Sequence, residues 1–491
     1  MRRVTIYDTL SRESRLFVPR FPPRVGMFVC GLTPYDEAHI GHARVAVVFD
    51  VVARALTRWG YRLFYIQNVT NLDDKLLRRA GELGVDPFAL ADRHFGEWRV
   101  AMERLGVRSV QYYPHATDYI PEILEQVGQL VEKGYAYRTD DGSVYYEVAK
   151  FPGYGKLSGQ KVEALRPGAR LEIDGSKRAP EDFVIWKAAT PGEPSWESTW
   201  GPGRPGWHIE DTAITVRLLG ARYDIHGAGL DLKFPHHEAE IAQAEAATGL
   251  APLVNFWMHA GLLSMGGEKM SKSLGNVYSL TQALDEFGPM VLRFYYLNAH
   301  YRSPLDFVRG ESLEAAREAY ARLSLPYRRV RALWDQEAPE RVGEELPEEL
   351  TAASANLVDR LDETLANDFQ TREVIAQLFG WGHQVAEWLP RLEKLSSGAL
   401  GTLAAPYRWV EETLGLFEEV ESSASTDLAQ VVAVAIDARA RARTRGDFAG
   451  RGGPARGRHG GDALGTHGIP VRPACTDSDL PNTAASTGSG S

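Results

Sequence analysis

The order of apolar and polar positions changes character along the chain, and each change marks a boundary. Met27-Phe28-Val29-Cys30 is a short unbroken apolar run, the pattern of a strand buried on both faces. After a polar turn, Ala43, Val47, Val48, Val51, Val52 and Leu56 recur at helical spacing. Tyr61 to Gln67 reads as a second strand. Residues 27 to about 115 thus alternate strand and helix, which predicts a parallel α/β sheet with its ligand site at the strand ends. From about 116 to 205 one helix is followed by short strands and Gly/Pro turns, such as Gly142-Ser143-Val144-Tyr145-Tyr146 and Phe151-Pro152-Gly153-Tyr154-Gly155. That pattern predicts an insertion splitting the sheet. The sheet is expected to resume with Gly206-Trp207-His208-Ile209-Glu210 and with Tyr223 to Gly229. After about 310, Leu, Ala, Glu and Arg predominate, predicting a helical bundle to about 445 with a Pro/Glu-rich linker or loop near 335–348. From Gly450 the chain turns Gly/Arg/Pro-rich and then Ser/Thr-rich, with too few apolar residues to bury, which predicts disorder.

Two short polar motifs interrupt this pattern where chemistry belongs. His39-Ile40-Gly41-His42 lies where the first strand turns into its helix. Backbone N–H groups and the positive helix end favour an anion there, and Gly41 allows close approach, so ATP phosphates suit the corner. His39 and His42 add donors; the bland reading is that both only cap the helix. Far downstream, Lys269-Met270-Ser271-Lys272-Ser273 sits between glycines in a polar loop able to close over a triphosphate. Lys269 and Lys272 are then mobile counter-charges for departing pyrophosphate.

Composition narrows the partners. At 491 residues the chain has room for about three domains. Its net charge of −10 excludes a generally basic coat, so RNA contact must be local. No apolar run of about 18 residues and no secretory leader is present, so a cytoplasmic protein off the membrane is expected. The 2 cysteines, Cys30 and Cys475, give no disulfide framework, and Cys30 reads as a ligand or a small buried residue. His236 and Glu240, four apart in Phe234-Pro235-His236-His237-Glu238-Ala239-Glu240, have metal-ligand spacing on a helix.

Taken together, Tyr7 to Leu10, Val29 to Asp36, His39 to Arg44, Gln67 to Lys75, Gly206 to Glu210, Phe234 to Glu240, the lysine loop and Asn367-Asp368-Phe369-Gln370-Thr371 resemble the cysteinyl-tRNA synthetases, a class I synthetase family. The resemblance runs from about residue 4 to about 449. It implies a split Rossmann-like α/β catalytic domain with an inserted connective domain, followed by an all-α bundle. On that frame residues 1–115 are the first catalytic half, 116–205 the connective insertion and 206–265 the second half with the metal site. Residues 266–310 are the loop and stem-contact region, 311–445 the anticodon-binding bundle and 446–491 an atypical tail.

The implied reaction attaches L-cysteine to tRNA(Cys) through cysteinyl-adenylate, with Mg2+ accompanying ATP and a monomer as the acting form. By analogy Thr70 and Trp207 hold the amino acid and Asp231 the adenosine ribose, with His226 and His237 lining the pocket. The family holds Zn2+ with two cysteines, a histidine and a glutamate. Cys30, His236 and Glu240 match three positions, whereas the fourth is Asp211, a carboxylate of equal formal charge but harder character. Coordination would separate a thiol from the hydroxyl of serine. Two other readings stand: the related mycothiol-pathway ligase joining cysteine to glucosaminyl-inositol, and a non-catalytic relative. The change of composition after Ala449 suggests a shifted reading frame, with an Arg-rich RNA-binding tail as the rival.

Overall fold

The computed structural model describes residues 1–160, 177–270, 277–334 and 342–418. A hairpin of β1 (Thr5–Asp8) and β2 (Glu13–Leu16) precedes β3 (Arg24–Leu32), α1 (Ile40–Arg58) and β4 (Arg62–Val69). Helices α2 (Asp74–Leu83) and α3 (Pro87–Arg104) close the first part. Next come α4 (Ile120–Glu132) and β5 (Ala136–Arg138), β6 (Val144–Tyr146), β7 (Phe183–Ala188) and β8 (Gly203–Pro205). These four strands pair antiparallel in sequence order, the inserted small sheet that the turn-rich pattern predicts. The chain returns through α5 (Trp207–Leu219), β9 (Tyr223–Gly229), α6 (Glu238–Thr248) and β10 (Val254–Ala260).

The main sheet is parallel in the order β10-β9-β3-β4. β9 is internal and all seven of its residues are buried, as a parallel strand covered on both faces requires. Close approach is set by glycine at Gly227, where a Cβ would lie 2.3 Å from the Phe49 ring of α1.

One element departs from the sequence reading. Gly206 to Glu210 does not resume the sheet; Gly206 caps α5 and Trp207 begins it. The Gly206 amide donates to Ile185 O of β7, and a Cβ there would fall 2.1 Å from Val184 O. The glycine marks a close crossing that launches a helix. Five residues of mixed polarity fit either element, and burial of Ile209, Ala213 and Ile214 on helical spacing decided it.

Beyond β10, the short strands β11 (Leu263–Met265) and β12 (Glu268–Lys269) form a hairpin. Then follow α7 (Leu280–Phe287), α8 (Pro289–Leu297) and β13 (Leu305–Asp306), the last pairing with β11. Helices α9 (Ser312–Trp334), α10 (Glu348–Ala366), α11 (Thr371–Ala386) and α12 (Ser397–Leu414) make the bundle. Its apolar face, including Leu361, Leu365, Leu403 and Val410, joins Val47, Val51 and Leu56 of α1 in one core. A second core unites α4 and the inserted strands with Ile209, Ala213 and Ala242 of α5 and α6. Among the described residues no helix is long and apolar enough to cross a membrane. The first half of the predicted linker near 335–348, the bundle beyond 418, Cys475 and the tail lie outside the described residues.

Candidate active site and metal centre

The His39 segment packs against the chain on either side of the lysine loop. His39 is the N-cap of α1: its Nδ1 accepts from the Gly41 amide at 3.1 Å, and His42 Nδ1 accepts from the His39 amide at 3.3 Å. A Cβ on Gly41 would stand 3.0 Å from the His39 ring, so the glycine lets that ring fold back over the helix end. The two imidazoles stack with centroids 3.7 Å apart. Both histidines therefore cap the helix, as the bland reading had it, but through Nδ1. In a neutral ring the proton then sits on Nε2, a donor. The segment is bonded to the chain just past the lysine loop, with Ile40 N to Tyr278 O at 3.1 Å and Leu280 N to Ala38 O at 3.0 Å. From the other side, Arg44 of α1 donates to Gly261 O and Leu262 O at 2.7 and 2.9 Å, just ahead of β11. The loop is thus tied to α1 at both ends. Lys269 is placed by its backbone opposite Ser264, and Lys272 lies outside the described residues.

Behind this corner, at the ends of β3 and β9, Cys30, Asp211, His236 and Glu240 converge in the interior. Cys30 comes from β3, Asp211 from α5, His236 from the turn before α6 and Glu240 from the first turn of α6. Asp211 Oδ2 lies 3.0 Å from His236 Nε2 and 3.6 Å from Cys30 Sγ, and Glu240 Oε1 lies 3.0 Å from His236 Nε2. Their four donor atoms all fall within 4.8 Å of one another, and so do those of Cys30, His226, His237 and Glu240.

The fit to a cation shows in the polar accounting. Glu240 Oε1 is buried and has no hydrogen-bond partner although His236 Nε2 is beside it, so the two atoms share a focus rather than a bond. Burial pushes the Cys30 thiol up, reinforced by Glu240 and Asp211, and burial with Asp211 does the same to Glu240. Burial with neighbouring histidines pushes His226 and His237 well down, leaving neutral rings. Burial thus disfavours the charged forms of Cys30, Glu240, His226 and His237, and a divalent cation among them would offset that cost for the thiolate and the carboxylate. Each ring is also fixed from its far side. His236 Nδ1 meets His208 Nδ1 at 2.8 Å, His226 Nδ1 meets the Tyr223 hydroxyl at 2.6 Å, and His237 Nδ1 meets His259 Nε2 at 2.9 Å.

The remaining predicted residues surround this cluster. Trp207, 41% exposed, stacks on His236 with centroids 4.3 Å apart. Thr70 is buried just past β4, and Asp231 stands in the turn after β9. His226 is 3.3 Å from Cys30 Sγ. Sequence reasoning passed over Asn68, Glu210, His208 and His259. Asn68 and Glu210 sat inside quoted motifs, but only tertiary contact shows that Asn68 donates to Asp211 and that Glu210 Oε2 is buried without a partner. His259 falls at an ordinary position of β10 and carried no signal.

The sequence signature described as tRNA synthetases class I (C) catalytic domain matches residues 16–318. A cysteine–tRNA ligase of Methylococcus capsulatus is 45% identical over 413 residues, 84% of this chain and 85% of that one. The cysteine–tRNA ligase of Thermoplasma acidophilum is 43% identical over 410 residues, 84% and 87% of the two chains. Among solved structures, Mycobacterium tuberculosis methionyl-tRNA synthetase bound by methionyl-adenylate superposes with a TM-score of 0.58 at 14% identity, covering 80% of this chain and 92% of that one. This last likeness concerns the fold alone. The match to that signature, with relatives more than 40% identical over most of the chain, on a parallel sheet with the His39 corner and the buried donor cluster at its strand ends, places this protein in the cysteine–tRNA ligase family of class I aminoacyl-tRNA synthetases.

Proposed function

We propose that the chain attaches L-cysteine to tRNA(Cys) in two steps. The cysteine carboxylate attacks the α-phosphate of Mg2+-bound ATP and pyrophosphate leaves; a ribose hydroxyl of the terminal adenosine then takes the acyl group and AMP leaves. The observation that carries this reading is the placement of Cys30 in β3, the strand that leads directly to the His39 corner. Thiol recognition and nucleotide binding thereby share one strand end, and the relatives act on cysteine and tRNA by their names.

In this reading His39 and His42 donate from Nε2 to the triphosphate, which Gly41 lets approach the α1 N-terminus. Lys269 and Lys272 neutralise charge as pyrophosphate departs. Asp231 holds the ribose, and Thr70, Trp207 and His226 orient the amino acid. Cys30, Asp211, His236 and Glu240 hold Zn2+. The ion, when bound, favours a deprotonated thiol over a serine hydroxyl as ligand, so discrimination precedes chemistry. Residues 116–205 are the connective module, 266–310 the loop and stem-contact region and 311–445 the anticodon-binding bundle of a cytoplasmic monomer.

Charging of tRNA(Cys) with labelled cysteine tests the proposal. Acid-precipitable cysteine accumulating with stoichiometric AMP supports it. Cysteine-dependent ATP turnover that charges an amino sugar and no tRNA contradicts it, as does an absence of any turnover.

A further inference from the structure

We propose that Asn68 is a positioning residue that makes Asp211 a one-oxygen metal ligand; the inference rests on the metal site proposed above. Asn68 is the last residue but one of β4 and is buried. Its Oδ1 accepts from the Gly31 amide at 2.6 Å, and this bond fixes which end of the side-chain amide is oxygen. The Nδ2 end must then face Asp211, whose Oδ1 it meets at 2.5 Å, with Thr70 Oγ1 at 3.4 Å. The two carboxylate oxygens of Asp211 are thereby divided. Oδ1 is bound to the amide, while Oδ2 alone points into the donor cluster, 3.0 Å from His236 Nε2 and 3.6 Å from Cys30 Sγ.

The division matters because a carboxylate differs from a thiolate in having a second donor atom. Unrestrained, that oxygen can swing in and chelate, raising the coordination number and filling the position a substrate thiol needs. Bound to Asn68, it cannot. A cysteine at position 211 would present one sulfur and have no second atom to restrain, so this contribution of Asn68 exists only because a carboxylate stands there. The anchor is stiff: a Cβ on Gly31 would lie 1.8 Å from Asn68 O, so β3 and β4 approach here as closely as backbone allows. The chain from Gly31 through Asn68 to Asp211 also passes Thr70, which couples the ligand to the edge of the amino-acid pocket.

The test measures metal directly: Zn2+ affinity of the full chain by chelator competition, and the visible spectrum of the Co2+ form. Asn68→Ala is expected to weaken Zn2+ by about 10–100-fold, the usual cost of losing an outer partner. Its Co2+ bands are expected to fade towards the weak absorption of higher coordination. Asn68→Asp keeps an acceptor for Gly31 but replaces the donor with a carboxylate oxygen facing Asp211 Oδ1, and is expected to lose at least a similar factor while still folding. In an Asp211→Cys background, Asn68→Ala is expected to change affinity by no more than about twofold, the scatter of independent sites. Equal loss in both backgrounds would assign Asn68 to the backbone alone and overturn the proposal. No loss in the Asp211 background would do the same with the metal site intact, whereas a wild-type chain without Zn2+ affinity would remove the site itself.

Discussion

Asp211 of α5 is buried, with one carboxylate oxygen beside His236 and the other bound by Asn68. It supplies one of four donors to a buried cluster whose other members, Cys30, His236 and Glu240, come from three other segments. Asp211→Ala is expected to cost more metal affinity than the roughly 10–100-fold of an outer partner, and to narrow the preference for cysteine over serine. Metal content per chain and exchange kinetics with both amino acids check this. Trp207 stacks on His236 from the exposed side, so Trp207→Ala is expected to raise KM for cysteine by about tenfold with a smaller change in kcat. Of the four proposed ligands, His236 and Glu240 were legible from their spacing and Cys30 as a candidate, whereas Asp211 was named only through the family resemblance. Asn68 was not legible as a partner of Asp211, because the two are 143 positions apart and meet only when β4 and α5 pack. Glu210 and His259 were missed for the same reason: burial and partner geometry exist only in the folded chain.

At the scale of elements, β3, α1 and β4 follow from their apolar runs and periods, and the insertion from its turn-rich short strands. The segment from Gly206 to Glu210 did not follow, since five residues with two apolar positions carry no period. The crossing over Val184, which only glycine permits, makes it a helix start. The same steric logic gives a test at Gly227. A methyl there meets the Phe49 ring at 2.3 Å, so Gly227→Ala is expected to destabilise the chain by about 1–3 kcal/mol, the ordinary cost of overpacking. Thermal unfolding reads it, and an unchanged midpoint would mean that α1 sits further from β9 than described. The sequence pairs the His39 corner with the lysine motif by function, but gives no sign that Arg44 holds Gly261 O and Leu262 O just ahead of β11. An arginine within an apolar helix face gives no hint of which carbonyls it will reach.

For the whole molecule, the sheet half and the bundle are fastened by a buried charge network. Asp50 of α1 accepts from Arg54 at 2.8 Å and from Arg293 of α8, and Arg293 also donates to Leu105 O and to Leu414 O at the end of α12. Burial works against ionising Asp50, but Arg293 and Arg54 outweigh it and hold the carboxyl below its ordinary value. The stabilisation is therefore complete above the unfolded carboxyl pKa of about 4 and is lost as pH falls through the lower folded value. Asp50→Asn, which leaves Arg293 buried without its counter-charge, is expected to cost about 3–5 kcal/mol at pH 7 and to flatten the fall in stability below pH 4. Thermal midpoints across pH 2–7 check both parts. With a net charge of −10, tRNA binding has to come from local basic surface, so the affinity is expected to fall steeply with salt while ATP–pyrophosphate exchange changes little.

The central claim is that a metal held by Cys30, Asp211, His236 and Glu240 reads the cysteine thiol beside the ATP corner. The most direct test is cysteine-dependent ATP–pyrophosphate exchange, with serine in parallel, on protein whose bound Zn2+ has been quantified. The account predicts one Zn2+ per chain, exchange with cysteine, and no measurable exchange with serine. Full, cysteine-selective exchange by metal-free protein would contradict it.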